Sequence, residues 1–345
     1  MNVDEELTTG MRVRDFIVKY GFIIITVALL VYFLATLDNF RNLGSIMSML
    51  KFASVTAILG LGLTFSMVVG GMDLSIGSTA GLAVQLAAMT MVFYNQVGGV
   101  AIAAVLVGGL VVGLLNALLI VVLKVPDMLA TLGMMFVIQG AKLIPVNGQS
   151  VSSGMVMRDG NQAPGRFTDG FRAIDGTRVD LGFVAVPLPV IIMLVLALAS
   201  WFFLARTKWG RMMYAIGSNP DAARIAGIRV GFYKGLAYVI CAVFASIGGM
   251  ILASRIGQGD VSAGASSLLE AVAVALVGTS VLGIGKPNAW GTVLGAVLVA
   301  ILVTGLTMNG FPYYFQDTAK GIVLILALIF SYTISRKRTR FVPAV

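Results

Sequence analysis

The chain has 345 residues, 58% of them apolar and only 11% charged, against about 45–50% and 25% in soluble domains. So little charge does not cover a water-facing surface, which excludes a soluble enzyme, a disordered chain and a nucleic-acid module. The net charge of +9 then reads as the basic bias of loops on one side of a membrane, with no nucleic-acid partner.

Each crossing takes ~20 apolar residues. Apolar runs fall at about 16–37, 53–70, 74–93, 97–123, 127–146, 183–204, 233–254, 269–285, 289–309 and 318–334. The expected fold is therefore all-α: a polytopic integral membrane helical bundle of about ten transmembrane helices, one domain over 1–345. The first run is longer than the apolar stretch of a cleaved leader and lacks a small-residue cleavage site, so it reads as a retained span. The chain has no His and one Cys, Cys241, which removes imidazole metal sites, Cys–His pairs and intrachain disulfides. No catalytic residue, metal site or bound cofactor is expected.

The second and third runs are interrupted by Gly70, Gly71, Met72 and Asp73, followed by Ser75, Gly77 and Ser78. An acid at membrane depth has a partner or a task. Asp73 either caps the next helix or serves transport, and the two roles are compatible. A charge-balanced loop follows at 147–182. The segment 205–234 is basic instead: Arg206, Lys208, Arg211, Arg224, Arg229 and Lys234 face only Asp221.

With the N-terminus inside and ten crossings, that basic segment, Lys124, Lys286 and the tail Arg336, Lys337, Arg338 and Arg340 all fall on the inner side. Both termini are then cytoplasmic, 147–182 periplasmic and 205–232 cytoplasmic. Within that segment Asn219 suits an N-cap and Pro220 the first helical position. Asp221 lies at the positive dipole end, Ala222, Ala223, Arg224 and Ala226 favour helix, and Gly227 suits a left-handed stop. The short helix 220–226 is either a connector attracted to anionic membrane lipid or a docking helix for a cytosolic partner, with its alanines as the smooth face. Further on, Gly278, Thr279 and Ser280 open a Gly-rich stretch. GlyIleGlyLysPro at 283–287 lacks the spacing and the Ser/Thr of a phosphate loop, so no ATPase site is found. The aromatics of 311–316 read as an interfacial belt.

GlyGlyMetAspLeuSerIleGlySer at 70–78, AlaThrLeuGlyMetMet at 130–135 and GlyArgMetMetTyrAlaIleGlySerAsnProAspAlaAlaArgIleAlaGlyIle at 210–228 together resemble the permeases of ribose-, xylose- and galactose-type ATP-binding-cassette importers. The Gly-rich 277–295 region and the TyrTyrPheGln stretch complete the match, from about residue 40 to 330. The resemblance implies a monosaccharide permease in a bacterial inner membrane. Its partners would be a second permease chain, a cytosolic ATPase that carries the ATP and Mg, and a periplasmic sugar-binding protein. It implies that Gly217, Asn219, Pro220, Asp221, Ala222, Ala223, Arg224 and Gly227 couple to the ATPase. The transport path is expected to use Gly70, Gly71, Asp73, Ser75, Gly77 and Ser78, with Gly278, Thr279 and Ser280 as counterpart. The halves 53–146 and 233–334 would then form a weak repeat, its Gly-rich turns at 70–78 and 278–285. Alternatives are a branched-chain amino acid or nucleoside permease of the same superfamily, or a stand-alone ion-coupled carrier using Asp73 and Glu270.

Overall fold

The computed structural model describes residues 9–157, 159–182, 184–280, 286–312, 314–316, 318–322 and 325. Twelve α-helices carry the described residues. They are α1 (Thr9–Thr36), α2 (Leu43–Val68), α3 (Ile76–Ala88), α4 (Gly98–Ala117), α5 (Asp127–Leu143), α6 (Asp169–Gly176), α7 (Leu188–Arg206), α8 (Lys208–Ser218), α9 (Pro220–Ile225), α10 (Val230–Ile256), α11 (Ser267–Ser280) and α12 (Ala289–Met308). A π turn extends α3 through Phe93 and another extends α4 through Val122. One small hairpin pairs β1 (Arg178–Asp180) with β2 (Ala185–Pro187) antiparallel.

Seven of these helices are long and apolar enough to cross a membrane: α2, α3 and α4 with their π turns, α5, α7, α10 and α12. Two shorter apolar helices, Tyr20–Thr36 in α1 and Ser267–Thr279 in α11, accompany them. Every expected run but the last coincides with a helix. The run 318–334 lies mostly outside the described residues, and the basic tail and residues 281–285 lie wholly outside them.

The bundle has two ends. At one, the loop 147–182 folds over the helices as a cap. Val151 pairs with Gly259, and Ser254 Oγ donates to the Phe171 carbonyl at 2.8 Å. Asp175 takes Lys51 at 2.7 Å and Arg255 at 3.1 Å, so α6 is tied to both α2 and α10. At the other end lie α8 and α9. The helices alternate in direction between these ends.

The centre is the antiparallel pair α2 and α10. They approach closely because Gly62 has no side chain where a Cβ would lie 3.0 Å from the Cys241 carbonyl and 2.9 Å from the Phe244 Cβ. Small residues at such crossings trade side-chain volume for backbone proximity. Packing is then exchanged between the halves: α10 lies against α3 and α4, and α2 against α11 and α12. This is the arrangement of an inverted pair of repeats, with α2–α3–α4 answered by α10–α11–α12.

Candidate translocation and coupling site

Both halves break their helices, and the breaks carry the same local chemistry. After α2 the chain turns at Gly70, whose φ of +81° is a conformation glycine adopts without strain. It then runs back into the bundle as 71–75 before α3 begins. Asp73, only 1% exposed, accepts from the Ser75 amide at 2.9 Å and the Ser75 hydroxyl at 2.6 Å. Asn116 of α4 donates to the Ser75 hydroxyl at 3.0 Å and reaches the carboxylate at 3.4 Å. Irregular backbone at this depth survives because protein groups satisfy it.

After α10 the chain breaks again over 257–266, with positive φ at Gly257 and Gly264. Asp260 accepts from the Ser262 amide and hydroxyl, each at 2.8 Å. AspLeuSerIleGly at 73–77 is thus matched by AspValSerAlaGly at 260–264. The two breaks touch: a Cβ on Gly77 would lie 2.6 Å from the Gly264 carbonyl. Among the described residues the counterpart of 70–78 is therefore 257–266, while most of the expected counterpart 278–285 lies outside them. Gly278 packs instead on the start of α12, its carbonyl accepting from Asn288 at 2.9 Å. Thr279 bonds back to the Leu276 carbonyl, and Ser280 closes α11.

The segment α8–α9 meets both halves. A Cβ on Gly217 would run into the Val68 carbonyl, and Gly217 leans on Gly70. Three residues earlier on α8, the Tyr214 hydroxyl donates to the Pro287 carbonyl at 2.7 Å. Burial pushes the Tyr214 phenol up to about 12, so it stays a donor throughout the physiological range. One rigid helix thus rests on the Gly70 turn of the first half and on the turn before α12 of the second.

The short helix follows its sequence signals closely. Asn219 accepts from the Asp221 and Ala222 amides, Pro220 opens α9, Arg224 pairs with Asp221 at 3.0 Å, and Gly227 leaves it at φ +80°. Of the three alanines expected as the docking face, Ala222 and Ala226 are exposed, but Ala223 is 4% exposed and belongs to the chain's own core. The side chain presented outward is Ile225, 89% exposed.

Three features lay beyond the sequence reading. Asp127 accepts from Lys234 at 3.0 Å and from the Tyr238 hydroxyl at 2.9 Å, beside Gly71. Lys142 donates to the Ala263 carbonyl of the second break at 3.2 Å. Glu270 pairs with Lys320 at 2.7 Å. The only one of these with a local signal was the repeated Asp-x-Ser-x-Gly that Lys142 buttresses. Among the described residues no cluster of three or more potential metal ligands forms.

Asp73→Asn is expected to leave the fold intact, since an amide oxygen still accepts from Ser75. It removes the charge, and uptake is expected to fall several-fold at unchanged protein level. Unchanged uptake would reduce Asp73 to a cap.

Residues 45–329 match the family model described as "Branched-chain amino acid transport system / permease component". The chain is 32% identical to the ribose import permease protein RbsC of Escherichia coli K12 over 89% of its length and 91% of that protein's. It is 29% identical to RbsC of Haemophilus influenzae, covering 93% and 95%. Against the xylose transport system permease protein XylH of E. coli K12 it is 30% identical, covering 88% of each. No solved structure matches the chain.

Proposed function

The chain belongs to the branched-chain amino acid transport system permease family, and from that premise we propose that it is the permease subunit of an ATP-driven importer that carries a monosaccharide across a bacterial inner membrane. The sugar class is supported by the ribose and xylose permeases among its relatives. The proposed partners are a second permease chain, a cytosolic ATPase that binds the ATP and Mg, and a periplasmic sugar-binding protein. The end carrying α8 and α9 is read as cytoplasmic, with both termini on that side and ten crossings in all, and the 147–182 cap as periplasmic. The basic residues of 205–234 support this orientation.

The observation that carries the mechanism is the seat of α8 on both halves. Closure of the ATPase pair would move α9, and α8 would deliver that motion to the Gly70 turn and to the turn at Pro287 together. The Gly70 turn leads directly into the first broken segment, a part of the bundle not held by helical hydrogen bonds, and the Pro287 turn joins α11 to α12. ATP inside and loaded binding protein outside then bias one two-state pore, each only by its differential affinity for the two states.

Ile225 tests the docking. An apolar side chain so exposed on a water-facing helix fits an apolar groove on the ATPase. Ile225→Glu is expected to leave the chain folded and inserted, because the side chain is 89% exposed. It should abolish co-purification of the ATPase and sugar uptake together, since a buried unpaired carboxylate costs several kcal/mol. Retention of both would place α9 on lipid instead.

A further inference from the structure

Between the second break and the ends of α2 and α12 lies a cavity of about 930 Å³, within the ~300–1,000 Å³ range of small-molecule pockets. It opens toward the end capped by 147–182, where Arg178 reaches its rim. Its floor is at the depth of Thr56, midway along α2.

Its walls are unusual for a bundle this apolar. Ser48, Thr56, Ser266, Thr304, Glu270 and Lys320 all face it. The Thr56 hydroxyl donates to Glu270 at 3.1 Å, and Lys320 donates to the other carboxylate oxygen at 2.7 Å. The pair stays about a quarter exposed, 23% at Lys320 and 26% at Glu270. An ion pair at membrane depth that keeps a wet face marks a path for polar cargo. Glu270 also sits in the first turn of α11, and that helix starts inside the bundle because 257–266 is unwound. Broken helices meeting near the midplane are where carriers hold substrate. On the wall, the Phe52 ring is 64% exposed and carries the Arg255 guanidinium 4.7 Å from its centre.

We infer that this cavity is the chamber that receives the cargo from outside, and that its chemistry selects a neutral polyhydroxylated ring. The inference rests on the importer reading above. A sugar presents hydroxyls that both donate and accept. Glu270 accepts from them, Lys320 donates, and the Ser and Thr hydroxyls do either. Phe52 offers a flat apolar face to the C–H side of the ring. Glu270 and Lys320 already neutralise each other and Arg255 is paired with Asp175, so among the described lining residues Arg178 at the rim is an exposed cation and no unpaired carboxylate awaits an ammonium. That disfavours a zwitterionic amino acid.

The test uses intact cells making the whole importer, with radiolabelled D-ribose, D-xylose and L-leucine as separate probes. Ser48→Cys places a thiol on the cavity wall. Cys241 is fully buried, so the wild-type chain is the unlabelled control. A membrane-impermeant thiol reagent is expected to label the variant from outside and to cut its sugar uptake at least tenfold relative to the same cells before treatment. Saturating sugar should slow the labelling. In a second variant, Glu270→Gln, sugar uptake should fall at least tenfold with normal amounts of assembled complex. Sugar uptake that persists after full labelling, or a thiol that does not label, overturns the chamber and leaves the importer reading standing. Uptake of leucine in place of both sugars overturns the sugar reading itself.

Discussion

Gly217→Val is expected to abolish sugar uptake while leaving the permease in the membrane with its ATPase bound. The side chain would be built into the Val68 carbonyl, and the Gly70 amide lies only 3.3 Å from the same point. Both obstacles are backbone, so no rotamer change relieves them. Overpacking of this kind costs about 1–3 kcal/mol, and with backbone on both sides the upper end applies. The relief available is for α8 to lift off the Gly70 turn. The spans do not depend on that contact, and Ile225 stays outward for the ATPase. What is lost is the seat through which α8 bears on the first half. A shift of 1.4 kcal/mol in the working equilibrium already changes a population tenfold, so the loss of uptake should exceed tenfold. ATP hydrolysis by the purified complex should persist and no longer respond to loaded binding protein. Gly133→Ala in α5 is the control, since a Cβ there meets nothing within 4 Å. Normal uptake by Gly217→Val would remove α8 as the link.

The helices were legible because lipid-facing segments need a long apolar run and little else. The run 97–123 needed no partner to be recognised as α4. The short helix was legible for a different reason. Asn219, Pro220 and Gly227 each act through local backbone geometry, which spacing reports directly. The direction of its faces was not legible, because a six-residue helix turns every side within two turns, and only packing into the core decides that Ala223 points in. The inverted halves were half legible. AspLeuSerIleGly and AspValSerAlaGly are both visible in the sequence, but the glycine-rich stretch after 277 drew the comparison away from 257–266. Composition could not separate a break that rejoins the bundle from a turn between helices. The ion pairs are long-range, Glu270 with Lys320 and Asp175 with Lys51 among them, and no local pattern announces which acid meets which base.

Asp127 is where the next largest effect is expected, and it bears on how the first break is held. Its carboxylate takes Lys234 from α10 on both oxygens, at 3.2 and 3.0 Å, and the Tyr238 hydroxyl at 2.9 Å. Asp127 and Lys234 are 16% and 25% exposed, so the pair is largely desolvated. Removing one partner of such a pair costs about 3–5 kcal/mol, chiefly because the other charge is stranded. Lys234 lies near the first turn of α10, and its long stem lets the ammonium reach toward water, so the lower end is expected for Asp127→Asn. Asp127→Asn with Lys234→Met strands no charge, and its thermal unfolding should lie closer to wild type than that of Asp127→Asn alone. If the double variant is the less stable of the two, the pair contributes nothing. The position explains why the pair is worth its desolvation. A Cβ on Gly71 would meet both the Asp127 carboxylate and the Tyr238 hydroxyl, so these two groups wall the segment that re-enters the bundle toward Asp73. Loosening them frees 70–75 from α10 on one side while α8 still presses on Gly70 from the other. Asp127→Asn should therefore weaken the response of hydrolysis to loaded binding protein even at temperatures where the permease remains folded.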